Sequence, residues 1–249
     1  MKKERFKLSD DSNLPEGQTS TIYGDAVKLG VSRRHVVVYQ TPDISDRDLS
    51  CVINGYGRML RDCEMPYPIK IIPVKMKMKN DFIEGCMADD PRYGGSKKSM
   101  HIGTLLKYLR DTESGANYQI SQSKMPHFTS VIVPNELLSP GVVTHGSSIH
   151  PYSVISLFDF GYSSDPSERA LEISMIAAHE FGHMMGLVEN ENRIYPGWHC
   201  GTDVCMMNGT VTTNPQYKEL MKSGSSLICG ECKEDMKYLN EKTQDVLRR

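Results

Sequence analysis

The sequence lacks what a membrane span or a nucleic-acid-binding face would need. It has no run of about 18 apolar residues, so no membrane-crossing helix is expected. It has no excess of one charge: 29 Lys and Arg stand against 31 Asp and Glu, a balance of −2. With a pI near 6.4, there is no basic surplus to hold a polyanion, and nucleic acid is not an expected partner. The opening stretch, MKKERFKLSDDSNLPEGQTS, is charged and has no apolar core, so a secretory signal is not expected. Seven cysteines do not fill an even disulfide framework, and a reducing, cytoplasmic setting is expected instead. No internal repeat is visible.

What is present is globular. Hydrophobic residues at 39% and charged residues at 24% are ordinary proportions, which excludes wholesale disorder and fibrous classes. A length of 249 residues suits one large domain or a domain with an appendage. Residues 1–33 are polar and without period, and are expected to form an arm. Residues 34–249 form the body. DAVKLGVSRRHV, beginning at Asp25, has the look of a helix-turn-helix, but Val36, Val37, Val38 and Tyr39 follow directly and favour a strand.

Within the body, HVVVYQ from His35 is a buried strand by composition. Residues 46–63 place Leu49, Val52, Ile53, Tyr56, Met59 and Leu60 at steps of three and four, an amphipathic helix. IKIIPVKMKM from Ile69 alternates like a strand, and a helix is expected near 102–112. TSVIVP and PYSVISLFDF are two more strands, with GVVTHGSS a weaker one between them. This order predicts a mixed α/β domain with a mostly parallel, twisted sheet and room for an antiparallel edge. Asp165-Pro166-Ser167-Glu168 is a helix start with an N-cap, a first-turn proline and a capping-box glutamate. The apolar run then continues to Gly186, a natural residue just past a helix end. A buried helix of about 20 residues is predicted there, and a polar surface helix over 231–249.

The buried helix carries His179-Glu180-Phe181-Gly182-His183. Residues four apart share a helical face, so two imidazoles can grip one metal. Glu180 is one residue round, where its carboxylate can serve a metal-activated water as general base. Two core histidines and a stray glutamate are the bland alternative, which would bury a charge at a cost of several kcal/mol. The pattern runs on to Gly186, and His-x3-His-x2-Gly resembles the metzincins. In that clan the third ligand stands three residues past the glycine, which here is Glu189. The nearest downstream histidine is His199.

Cys200-x4-Cys205 and Cys229-x2-Cys232 are two thiolate pairs that can enclose a tetrahedral structural zinc; four free thiols or a redox pair are the other readings. Cys51, Cys63 and Cys86 lack such spacing and are expected to be small buried hydrophobes. Together, HEFGHMMG, then His199-Cys200-GTDV-Cys205-Met206-Met207, then Cys229-Gly-Glu-Cys232 resemble the archaemetzincins. The resemblance implies a zincin-like fold with a C-terminal four-cysteine zinc subdomain, a catalytic zinc, a second structural zinc and peptidase activity. It makes Met207 the floor of the metal site, and it implies an extended peptide or protein substrate laid along an edge strand.

The stretch between Gly186 and His199 is about ten residues longer than the family pattern, which leaves Glu189 and His199 as rival third ligands. His199 is preferred, because it keeps register with Cys200 and a longer surface loop costs little. The catalytic metal is then expected on His179, His183 and His199, and the structural one on Cys200, Cys205, Cys229 and Cys232. ENENRIYPGW (189–198) is a candidate specificity loop, with Trp198 beside the site or in the core. His145 and His150 are weaker cleft candidates. A zinc-containing domain that binds peptides or partners with little catalysis is the alternative function, and the intact Glu180 speaks against it.

Overall fold

The computed structural model describes residues 7–8, 35–41, 43–64, 69–77, 86–90, 98–105, 128–139, 142–149, 152–158, 165–188, 199–211 and 215–248. The chain divides into two compact units, Met1–Ser45 with Lys70–Asp159, and Asp46–Ile69 with Phe160–Arg249.

The first unit is built on a six-stranded sheet. Its strands are β1 (Lys7–Leu8), β2 (His35–Gln40), β3 (Lys70–Lys77), β6 (Phe128–Val133), β9 (Gly146–Ile149) and β10 (Tyr152–Ser156), in the order β1-β3-β2-β6-β10-β9. The three inner pairings are parallel and both outer ones antiparallel. Every residue of β6 and β10 is buried, as central parallel strands require, and that includes the small polar Thr129, Ser130, Ser153 and Ser156. The expected mixed, mostly parallel sheet is therefore present, with antiparallel strands at both edges rather than one. Lys7 and Leu8 of the predicted arm pair with Lys77 and Met76. The other residues of 1–33 lie outside the described residues, as does most of the helix-turn-helix lookalike, whose last two residues open β2.

A second, four-stranded sheet joins β4 (Met87–Asp89), β5 (Lys98–His101), β7 (Leu137–Ser139) and β8 (Val142–Thr144) in the order β4-β5-β7-β8. It splits the predicted GVVTHGSS strand, since Val142–Thr144 joins this sheet and Gly146–Ile149 the larger one. Of the helix expected near 102–112, residues 102–105 are helical and the rest lie outside the described residues.

The second unit holds α1 (Asp46–Asp62), α2 (Pro166–Met184), α3 (Gln216–Ser223) and α4 (Gly230–Arg248). Asp165 caps α2 as expected: its carboxylate accepts from the Ser167 N–H at 2.8 Å, with Pro166 in the first turn. Gly186 leaves the helix at φ +89°, the left-handed exit that glycine takes without a Cβ penalty. The α1 stripe of Leu49, Val52, Tyr56 and Met59 is buried. Gly55 in that stripe lets α1 and α2 meet closely, for a Cβ there would collide with the Ser174 carbonyl and lie 2.9 Å from the Ala177 Cβ. Ser174 Oγ bridges to the Cys51 carbonyl at 2.9 Å, Tyr56 meets Phe181 with ring centroids 4.7 Å apart, and Arg169 grips Asp48 through Nε and Nη2 at 3.2 and 3.1 Å. At the other end of α1, Arg58 donates to the Met221 and Ser225 carbonyls at 2.7 and 3.1 Å. Among the described residues no helix is long and apolar enough to cross a membrane.

Candidate metal centres

The interior of α2 presents His179 and His183 one turn apart, and both are desolvated. Burial lowers His179 to about 4. Burial first, then the nearby His179 and His199, lowers His183 to about 2. Both rings are therefore neutral near pH 7, as metal ligands must be. His199 comes from outside the helix and completes a group whose ligand atoms all lie within 4.8 Å of one another. Its ring stacks on that of His179 at 16° and stands across that of His183 at 82°, with centroids 5.3 Å apart in each case.

The tautomer of His179 follows from its partner. Nδ1 lies 2.6 Å from the Met206 carbonyl, and a carbonyl can only accept, so Nδ1 carries the proton. Nε2 is left with its lone pair, 3.2 Å from the His183 Nε2. Two nitrogens each about 2.0–2.1 Å from a tetrahedral zinc lie about 3.3 Å apart. The observed separation fits that geometry, and the backbone carbonyl is the kind of outer partner that orients metal-bound imidazoles.

The loop after His199 is shaped around this cluster. Cys200 N–H donates to the Met207 carbonyl at 2.8 Å, closing a turn that begins at His199. A Cβ on Gly209 would lie 3.2 Å from His199 Cγ, so glycine lets the backbone pass close under the ring. Met207 is fully buried, and a Cβ on Gly182 would collide with its sulfur. The glycine inside the His-Glu-x-Gly-His run is therefore the slot that Met207 occupies. Glu180 is on α2 beside His179 and is 6% exposed.

A second group forms one peptide bond away. Cys200, Cys205, Cys229 and Cys232 place their sulfurs within 4.8 Å of one another. The Cys200–Cys229 and Cys205–Cys232 sulfurs are each 3.6 Å apart. Disulfide sulfurs lie about 2.05 Å apart, whereas four sulfurs about 2.3 Å from one zinc lie about 3.8 Å apart. The spacing fits the metal. Thiol protons are shared unequally: the hydrogen bond with Cys232 lowers Cys205 to about 6, that same contact raises Cys232, and burial raises Cys200 to about 11. Backbone N–H groups of Thr202 and Cys229 reach the Cys200 and Cys205 sulfurs at 3.5 Å.

Cys51, Cys63 and Cys86 are free thiols outside both groups; burial raises Cys86 to about 11 and pushes Cys63 up further. His145 is in the other unit. Glu189, His150, Trp198 and the 189–198 loop lie outside the described residues. The Met206 carbonyl and Gly209 were not singled out from the sequence. The carbonyl acts through backbone, which leaves no mark on residue type, and a lone glycine carries no spacing that would point to His199.

No family model matches the chain. Among solved structures, it is similar to an archaemetzincin from Methanopyrus kandleri, at 17% identity over 87% of this chain and 97% of that one, with a TM-score of 0.49. It is also similar to a zinc-dependent peptidase from Methanocorpusculum labreanum, at 16% identity over 81% of this chain and 99% of that one, with a TM-score of 0.49.

Proposed function

We propose that the chain is a zinc-dependent peptidase of the archaemetzincin type, with His179, His183 and His199 as ligands of a catalytic zinc. The observation that carries the reading is the convergence of three imidazoles whose ligand atoms lie within 4.8 Å of one another, two of them 3.2 Å apart on a helix that bears a buried glutamate beside the first. Bound zinc supplies Lewis-acid polarisation of a carbonyl and acidifies water. Glu180 acts as general base, taking the proton of the attacking water and delivering it to the leaving amine. His179 is held by the Met206 carbonyl so that only Nε2 offers a lone pair to the metal. Cys200, Cys205, Cys229 and Cys232 hold a second, structural zinc that ties the 199–211 loop to α4. The reading includes a peptide or protein substrate and a reducing, cytoplasmic compartment, which an odd count of seven cysteines supports.

Metal analysis of the purified protein, with a peptide-library digest of wild type and Glu180→Gln, tests this. Glu180→Gln is expected to keep its zinc and lose hydrolysis by about 100-fold or more. An active Glu180→Gln protein would move the base elsewhere. A zinc-loaded wild type that cleaves nothing would favour a peptide- or partner-binding domain instead.

A further inference from the structure

The partner of His179 is itself held in place. The Met206 N–H donates to the Leu227 carbonyl at 2.7 Å, and the Leu227 N–H donates to Asp62 Oδ2 at 2.6 Å. Asp62 is the last residue of α1, far in sequence from both metal groups. Leu227 is fully buried and Met206 likewise, so neither backbone group has ready access to water to replace a lost bond. The bond to Asp62 is charge-assisted, the stronger class of hydrogen bond. Arg58, one turn earlier on α1, fixes the same segment through the Met221 and Ser225 carbonyls.

We infer that Asp62 is a positioning residue for the imidazole cluster: through Leu227 and Met206 it sets the carbonyl that fixes the tautomer and orientation of His179. The inference rests on the peptidase reading only in that the imidazole cluster binds metal. Asp62 does not touch the metal or the reacting atoms. It acts on the backbone segment 205–207, which also supplies Met207 beneath Gly182 and the carbonyl that receives the Cys200 N–H. Any shift of Leu227 is transmitted to Met206, because the two share a direct backbone bond.

The test is the cobalt affinity of the imidazole cluster, titrated in full-length protein whose thiolate cluster is kept loaded with zinc. It is read together with the Nδ1 proton of His179 in 15N-histidine-labelled protein. Asp62→Ala is expected to weaken cobalt binding by several-fold up to about 10-fold, below the about 10–100-fold cost of losing the outer partner itself, and to shift the Nδ1 proton signal. Asp62→Asn keeps size and an acceptor oxygen, makes a weaker neutral bond, and is expected to lose less in both readouts. Asp48→Asn, which loosens the Arg169 pair at the opposite end of α1, is expected to leave both unchanged. Wild-type affinity in Asp62→Ala overturns the inference, and so does an equal loss in Asp48→Asn, which would make the effect one of general stability. If Asp62→Ala does not fold, a wild-type affinity and Nδ1 signal in Asp62→Asn overturns it. A wild type that binds no cobalt at this cluster would end the peptidase reading along with it, whereas normal wild-type binding with unchanged variants ends the inference alone.

Discussion

Two glycines of α1 stand two residues apart and face different surroundings, so one substitution should have opposite effects. Gly57 is exposed, and a Cβ there would meet nothing within 4 Å. Gly57→Ala should stabilise by about 1 kcal/mol, the difference in helix propensity. Gly55 is buried, and its added Cβ would collide with the Ser174 carbonyl, with the Ala177 Cβ at 2.9 Å and the Ala178 nitrogen at 3.0 Å. Ser174 O and Ala178 N belong to the α2 backbone, so no rotamer change relieves the contact and the helices must part. Overpacking of this kind costs about 1–3 kcal/mol, occasionally more, and the same propensity gain offsets only about 1 kcal/mol of it. The propensity gain is common to both, so the two variants should differ by the overpacking cost of about 1–3 kcal/mol, which for a chain of this size is a separation of roughly 2–12 °C in Tm. Thermal unfolding of zinc-loaded Gly55→Ala, Gly57→Ala and wild type reads it directly. A Gly55→Ala protein as stable as Gly57→Ala would refute the close crossing of α1 and α2.

Further outcomes follow from the same contacts. Gly182→Ala should lower cobalt affinity at the imidazole cluster, because the new Cβ displaces Met207 from a fully buried position; a titration matching wild type would show that Met207 moves aside freely. Cys229→Ser with Cys232→Ser should reduce zinc from two ions per chain to one by elemental analysis. The same pair should markedly lower unfolding stability, since structural zinc in small peptides contributes about 10–16 kcal/mol of apparent binding free energy.

The helix that carries His179 and His183 was legible because its signals are local. An N-cap aspartate, a first-turn proline, a four-residue histidine spacing and an exit glycine all lie within a few turns of one another, and each has a fixed geometric meaning. The cysteine pairs were legible for the same reason. The four-stranded sheet was not, because β4, β5, β7 and β8 are too short to show a period of two, and the β5–β7 pairing that joins its halves links Met100 to the distant Leu137. Helix α3 was missed because it is eight residues long and Pro215 at its N-cap makes no side-chain capping bond, so no start signal is written. Gly182 cost helix propensity with no visible return until Met207 was seen to occupy its slot. The link from Asp62 to His179 runs through two backbone groups, and nothing in residue type announces it.

The choice between His199 and Glu189 as third ligand turns on which side of the residue holds it in place. Approached from α2, the chain leaves Gly186 and reaches Glu189 first, and spacing alone favours that residue. Approached from the other side, His199 is tied to the thiolate group by Cys200, whose N–H is bonded to the Met207 carbonyl. Gly209 lies beneath its ring, and its ring nitrogens lie with those of His179 and His183. Register is thus fixed from the C-terminal side, and the length of chain before His199 is free to vary at small entropic cost. His199→Ala should therefore weaken zinc binding at the imidazole cluster by more than the roughly 10–100-fold expected for losing an outer partner, while leaving the thiolate zinc in place. Glu189→Ala should bind zinc as wild type does. Paired competition titrations with a zinc chelator decide the matter: a loss in Glu189→Ala with His199→Ala unaffected would overturn the assignment and leave the stacking of His199 on His179 without a metal to explain it.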